Sequence, residues 1–176
     1  MLRLERPSSE RENSYRRFME EIRRAGEPPA PSTLGYPFDP FEALLERLRK
    51  DELGAELPQG FVPHSSFWLV QDDREIVGAS NLRHRLTPKL EKRGGHIGYG
   101  IRPSARNRGY GKEILFHTLP EARRLGLTRV LITCGKRNLA SAKIIVASGG
   151  KLDSEEFIAA DNEVVQRYWI DLAPAG

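Results

Sequence analysis

One stretch constrains the fold of this sequence most: a strand that runs through an arginine-rich, glycine-containing turn directly into a long helix. Apolar side chains alternate at Ile97, Tyr99 and Ile101, which indicates a strand with one apolar face. A helical pattern then extends from Gly109 to Leu125. Such a joint places a helix N-terminus, with its unpartnered backbone N–H groups, at the end of a strand, where it can bind an anion.

The remaining hydrophobic pattern predicts two early helices followed by mostly strands. The first helix is predicted from Ser8 to Ala25, with a capping box at Ser9 and Glu12, and the second from Pro40 to Leu53, capped by Asp39. Strands are predicted at residues 2–4, 66–71, 75–84, 94–102, 129–134, 151–157 and 163–172, a polar loop at 85–93 and a further helix at 138–148. This order predicts an α/β fold of the α+β type, with a mixed central sheet of about seven strands flanked by about four helices.

Composition limits the class of protein. The 176 residues, 39% hydrophobic and 30% charged, suit a single domain (1–176) with a variable helical part (1–60) and a core (66–172). No apolar stretch approaches the ~20 residues that span a bilayer, and no signal peptide is apparent, so we expect no membrane contact. A single cysteine, Cys134, excludes an internal disulfide and favours a cytoplasmic location.

Charge and histidine spacing exclude two further classes of site. The net charge of +4 is small, and acidic residues interleave with the arginines, so no nucleic-acid partner is expected. The four histidines lack the spacing of paired metal ligands, so no metal site is expected.

The candidate anion site has two glycines, which let a ligand approach the backbone, and three cationic side chains. Its residues are Arg106, Asn107, Arg108, Gly109, Tyr110, Gly111 and Lys112. The P-loop pattern fails because Arg106 stands where its first glycine belongs, and Glu113 follows the lysine. The dinucleotide pattern fails because Ile114 replaces its third glycine. The site therefore predicts a phosphate or pyrophosphate carried by another kind of ligand.

The spacing Arg106-x-x-Gly109-x-Gly111 resembles the Q/R-x-x-G-x-G/A motif of the GNAT superfamily of N-acetyltransferases. The resemblance covers about residues 67–170 and includes the strand at 97–103 and a helix that begins near Asn138. The segments 83–86, 94–99 and 166–170 are similar to a bacterial subgroup of predicted acetyltransferases without a settled substrate. The resemblance implies the GNAT fold and acetyl-CoA as cosubstrate.

The resemblance also implies roles for individual residues. The backbone at Ile101 and Arg102 would pair with the pantetheine arm, and the amides from Arg106 to Gly111 would hold the pyrophosphate. Asn138 and Ser141 would contact the pantetheine or the phosphate-ribose end, although Asn138 can also serve only as a helix N-cap.

Catalysis requires a neutral amine, and a typical primary amine has a pKa near ~10. Many members of the resembled family carry a glutamate base on the fourth strand, where this chain has His96; His84, on the neighbouring strand, is the second candidate. A packing role for His96 is the alternative. The usual acid, a tyrosine seven residues after the asparagine, is replaced by Ile145, which leaves Tyr99 and Tyr168 as substitutes.

These observations predict transfer of an acetyl group from acetyl-CoA to an amine of an unidentified small molecule or peptide, by direct attack on the thioester. A covalent route through Cys134 would need an activated thiolate, which nothing near it in sequence supplies. The alternative is a non-catalytic acyl-CoA-binding or sensing module, which the isoleucine at 145 favours slightly. A homodimer is possible, because dimers are common in the resembled family.

Overall fold

The computed structural model describes residues 1–172, which form seven strands and five helices. In chain order they are β1 (Leu2–Glu5), α1 (Glu12–Ala25), α2 (Phe41–Leu53), β2 (His64–Gln71), β3 (Glu75–Arg83), α3 (Pro88–Lys92), β4 (Ile97–Ile101), α4 (Tyr110–Arg124), β5 (Arg129–Gly135), α5 (Leu139–Ala147), β6 (Lys151–Ile158) and β7 (Glu163–Asp171). One helix beyond the four that the sequence predicts, α3, lies in the segment 85–93, where a polar loop is predicted. Thr87 caps it by accepting a hydrogen bond from the Leu90 N–H at 3.3 Å.

The strands are divided into a four-stranded and a three-stranded group. The first has the order β1-β2-β3-β4 and the second β5-β7-β6, and every pairing in residues 1–172 is antiparallel. The groups touch where the His96 N–H donates to the Leu131 carbonyl at 2.7 Å, just before β4 and inside β5. The predicted α/β fold of about seven strands is confirmed, with its sheet divided at this junction.

Helices α1 and α2 cover one face of the four-stranded group. Tyr15, Phe18 and Ile22, spaced three and four residues apart, give α1 a buried stripe that packs with Phe41 and Trp68. The Tyr15 and Trp68 rings lie 5.1 Å apart between centroids. This packing fixes the loop between the two helices, which reaches the site described below.

Two capping predictions are wrong. Ser9 lies in a short 3₁₀ turn, and the N-cap of α1 is Arg11, which makes no capping hydrogen bond with its side chain. Pro40 is the N-cap of α2, because the Asp39 carboxylate instead accepts a hydrogen bond from Arg16 at 2.7 Å. A guanidinium partner thus holds the side chain that was expected to cap the helix.

Helices α4 and α5 pack on the other side, against both groups of strands. Ile114 and Leu115 of α4 are fully buried. Ile145 of α5 is also fully buried, and Gly150 is needed beside it because a Cβ there would lie 2.5 Å from the Ile145 Cγ2. Ile145 is therefore part of the core.

Within residues 1–172, none of the helices is long and apolar enough to cross a membrane. The cytoplasmic location stays a prediction. The same residues contain no group of three or more His, Cys, Asp or Glu side chains placed to hold a metal ion.

Candidate active site

A cleft of about 640 Å³ opens between the end of β4, the start of α4 and the start of α5. Nine of the eleven residues predicted to bind the cosubstrate line it, and they are Ile101, Arg106, Asn107, Gly109, Tyr110, Gly111, Lys112, Asn138 and Ser141. The sequence therefore located most of the cleft wall, because a single turn and two helix starts supply it.

Glycine is required at Gly109 and Gly111 for different reasons, one conformational and one steric. Gly109 caps α4 with a φ of 86°, and a Cβ built on it would meet nothing within 4 Å, so its face is open to a ligand. A Cβ at Gly111 would lie 2.5 Å from the Ile144 Cδ1. Gly111 thus allows α4 and α5 to pack closely, while the N–H groups of Tyr110 and Gly111 in the first turn of α4 remain available for an anion.

The direction of the β4 backbone decides which residues can pair with a ligand. Arg83 N–H donates to the His96 carbonyl at 2.7 Å, and Arg102 N–H donates to the Val77 carbonyl at 2.9 Å. Because hydrogen-bonded positions alternate along an antiparallel strand, these bonds turn the backbone groups of Tyr99 and Ile101 away from β3. The edge they present faces the cleft.

The prediction that the backbone of Arg102 faces a ligand is wrong. Its N–H is used by Val77, and its buried guanidinium donates to Glu21 and Glu75, each at 2.8 Å. Arg102 ties β4 to α1 and β3. Arg108, also predicted, stands outside the cleft, with its guanidinium 5.3 Å from the centre of the Tyr110 ring.

Arg106 lines the cleft but is already paired. Its Nη1 donates to Glu27 Oε1 at 2.6 Å, its Nη2 donates to Glu27 Oε2, and its Nε donates to the Ile101 carbonyl at 3.2 Å. Hydrogen bonding from Arg106 lowers the pKa of Glu27 below its usual value. Lys112 and Lys143 also line the cleft, and neither has a described carboxylate within 4.0 Å among residues 1–172. Sequence reasoning missed Lys143, whose place on α5 becomes evident only when α5 packs against α4.

Asn138 and Ser141 lie between the cleft and a second cavity. The Asn138 Oδ1 accepts a hydrogen bond from the Ser141 N–H at 3.0 Å, so the N-cap role is observed. The Tyr99 hydroxyl and the Ser141 Oγ lie 2.8 Å apart, and burial raises the pKa of Tyr99 to about 12. All three residues line both spaces, so the cleft and the cavity adjoin at these side chains.

The second cavity, of about 380 Å³, lies between β4 and β5 beyond their junction. Gly98 and Tyr99 line it from β4, and Thr133 and Cys134 from β5. The loop at 30–32 closes its other side. We call this space the inner cavity.

The structure does not place His96 at either space. Its Nδ1 accepts a hydrogen bond from the Leu131 N–H at 2.9 Å, and its ring is buried. Burial, with the nearby charges of Arg83 and Arg129, lowers the pKa of His96 to about 4. The ring is neutral at pH 7, and its Nδ1 lone pair is engaged with β5.

His84 lies apart from His96. Its Nε2 is 2.8 Å from the Ser65 Oγ, which also donates to Glu52 at 2.7 Å, and burial lowers the pKa of His84. Neither histidine lines the cleft or the inner cavity, so the structure supports neither as the base.

Of the remaining candidate residues, Cys134 lines the inner cavity and Tyr168 does not. Cys134 lines the inner cavity, but burial raises the pKa of its thiol to about 11, which disfavours a covalent route. The Tyr168 hydroxyl donates to Gln166 at 2.8 Å and lines neither space.

A helix N-terminus with adjacent cations, a free strand edge and an adjoining inner cavity are the features of a transferase site for a long, phosphate-bearing donor and a separate acceptor. The chain belongs to the GNAT acetyltransferase family, because a family model described as an acetyltransferase (GNAT) domain matches residues 10–151. This membership confirms the resemblance, the enzyme class and acetyl-CoA as cosubstrate.

Solved structures share the fold at low sequence identity. RimJ from Mycobacterium smegmatis, in complex with CoA-disulfide, has a TM-score of 0.71 and 15% identity over 97% of this chain and 81% of that chain. An acetyltransferase from Salmonella typhimurium that modifies the N-terminal serine of a 50S ribosomal subunit protein has a TM-score of 0.68 and 15% identity over 98% and 95%. Mutant forms of the spermidine/spermine N-acetyltransferase SpeG from Vibrio cholerae give 0.63 and 15% over 97% and 95%. A search of curated proteins finds no match.

Proposed function

We propose that this protein transfers an acetyl group from acetyl-CoA to the amine of a small molecule or a peptide by direct attack on the thioester. The observation that carries this proposal is that Tyr99, Asn138 and Ser141 line both the cleft and the inner cavity, so a donor in one would adjoin an acceptor in the other. The relatives named for an N-terminal serine and for spermidine/spermine both acetylate amines, which supports this class of acceptor. A second space beside the cleft, large enough for an acceptor, favours catalysis over the alternative of a sensing module.

The described residues fit the cosubstrate. The amides at the start of α4 would hold the pyrophosphate, a contribution of about 0.3–2 kcal/mol for the helix end, and Lys112 and Lys143 would add charge. The exposed backbone edge of Tyr99 and Ile101 would pair with the pantetheine arm. When bound, acetyl-CoA supplies a thioester carbonyl that is open to attack by an amine.

The Tyr99 and Ser141 hydroxyls are the proton donors that line both spaces. With its pKa raised to about 12 by burial, the Tyr99 hydroxyl stays protonated throughout the neutral range. It can therefore donate a hydrogen bond to a leaving sulfur, directly or through the Ser141 Oγ at 2.8 Å. Ile145 cannot replace it, because an isoleucine side chain has no proton to donate and is buried in the core.

The acceptor's own proton has a different route. None of the described residues that line the inner cavity is a histidine, an aspartate or a glutamate. We propose that the amine loses its proton to solvent, and that His96 positions β5 against β4 through Leu131 rather than accepting that proton.

The test is release of free thiol from acetyl-CoA with a panel of amines that includes an N-terminal-serine peptide, spermidine and small amino compounds. Acetyl-CoA at millimolar concentration should raise the Tm, because a ligand that binds the native state stabilises it. Thiol release with one or more amines supports the proposal. A Tm that does not change with acetyl-CoA contradicts it. A homodimer stays a prediction.

A further inference from the structure

Arg83, at the end of β3, carries a charge that the protein does not neutralise. Its Nη1 donates to the carbonyls of Gly94 and Gly95, each at 3.1 Å. Among residues 1–172, no carboxylate lies within 4.0 Å of its guanidinium, and burial lowers its pKa. A guanidinium remains charged in proteins even so. An uncompensated cation in a half-buried position is costly, unless a ligand supplies the counter-charge.

Arg83 borders a space that a ligand can enter. Arg83 lines the inner cavity, together with Tyr99 and Ser141 at its junction with the cleft. Its Nε and Nη2 donate to no described residue, and both atoms are accessible to solvent. Two N–H-bearing nitrogens in one plane match the two oxygens of a carboxylate or a phosphate.

The other charges near the cavity do not cancel this cation. Arg93 also lines the cavity, but its Nη1 is 2.9 Å from Asp161 and 3.5 Å from Glu163, so these acids neutralise it. Neither acid lines the cavity. Arg83 is therefore the cation lining the inner cavity that no described carboxylate neutralises.

We propose that Arg83 binds an anionic group of the acceptor, a carboxylate or a phosphate, so that the enzyme acetylates a small amine carrying such a group rather than a polyamine. The inference rests on the proposed acetyl transfer and names its substrate class. A polycation such as spermidine, for which the Vibrio cholerae relative is named, would meet an unpaired guanidinium of the same charge.

The test uses four amines of similar reach that differ at the far end: γ-aminobutyrate, 3-aminopropyl phosphate, butylamine and putrescine. Each is titrated into protein saturated with CoA, which keeps the anions out of the cosubstrate cleft. We expect γ-aminobutyrate or 3-aminopropyl phosphate to bind at least about tenfold more tightly than butylamine, with putrescine weakest. Comparing the two anionic amines distinguishes a carboxylate acceptor from a phosphate acceptor.

Two variants separate ligand binding from a structural role. Arg83→Gln should abolish the preference for the anionic amines, whereas Arg85→Gln, at an exposed position two residues later, should keep it. Because Arg83 also holds the turn at Gly94 and Gly95, its loss could unfold the protein. In that case Arg83→Lys, which retains a cation, should keep a reduced preference.

Several results would overturn the inference. These are equal or tighter binding of butylamine or putrescine, a preference that survives in Arg83→Gln, or no binding of either anionic amine at about 10 mM. Failure of the proposed function is recognised separately, because acetyl-CoA would then not raise the Tm, or no amine in the wider panel would release thiol. The binding preference is measured without turnover and does not depend on that outcome.

Discussion

Glu27 and Arg106 form a two-point ion pair at the cleft, with the Arg106 Nη1 and the Glu27 Oε1 2.6 Å apart. The pair joins the loop after α1 to the turn before α4, and both residues line the cleft. A phosphate that approached Arg106 would compete with the carboxylate for the same N–H groups.

Glu27→Gln should therefore strengthen acetyl-CoA binding. Removing the carboxylate frees the Arg106 guanidinium, and an ion pair of this exposure is worth about 0.2–1 kcal/mol, so the Kd should fall by up to about fivefold. Isothermal titration with acetyl-CoA measures the change. Glu20→Gln is the matched control, because Glu20 pairs with Arg23 and Arg24 away from the cleft. An unchanged or higher Kd in Glu27→Gln would contradict this prediction.

His96→Ala should lower stability because it leaves the buried Leu131 N–H without its acceptor. An unsatisfied buried donor costs about 1–3 kcal/mol, which urea unfolding resolves.

The wild type should also lose stability in acid, because His96 is buried in its neutral form. The folded-state pKa of about 4 is below the ordinary value, so the unfolded chain binds the proton more readily below pH 6.5. Stability should fall from pH 6.5 toward pH 4, and His96→Ala should have a shallower slope.

The structure also explains which parts of the site the sequence could predict. The turn from Arg106 to Gly111 is local, so its residues and spacing predicted the cleft directly. The roles of His96 and Arg102, which flank β4, depend on which backbone groups face β3, and that alternation is evident only from the bonds that Arg83 and Arg102 make across the two strands. The partner of Arg106 lies 79 residues away, where no local pattern could indicate it.

The pH dependence of turnover follows from the composition of the inner cavity. With no histidine or carboxylate among the described residues that line it, the neutral fraction of the acceptor controls the rate. For an amine of pKa near ~10, kcat/KM should rise roughly tenfold per pH unit from pH 7 to 9. A plateau beginning near pH 6.5 or 7 would indicate a protein base and contradict the prediction. A primary amine of lower pKa should shift the profile by its own pKa difference.

Tyr99→Phe should reduce kcat by about a hundredfold, because it removes the hydroxyl proposed to donate to the leaving sulfur where the cleft and the inner cavity adjoin. The KM for acetyl-CoA should change little, since the backbone edge of β4 is preserved. Tyr168→Phe is the control, because its hydroxyl bonds to Gln166 outside both spaces. Steady-state kinetics of both variants tests this prediction. Equal effects of the two substitutions on kcat would contradict a role of the Tyr99 hydroxyl in catalysis.

Gly100→Ala should disturb the acceptor side of the site without touching a charged group. A Cβ on Gly100 would collide with the Ala30 carbonyl oxygen, so the loop that closes the inner cavity could no longer lie on β4. Overpacking of this kind costs about 1–3 kcal/mol, measurable by urea unfolding. The KM for the acceptor should rise more than the KM for acetyl-CoA, because the displaced loop lines the inner cavity. Gly35→Ala, where a Cβ would meet nothing within 4 Å, should leave stability and both constants nearly unchanged. Equal behaviour of the two variants would show that the loop does not depend on this contact.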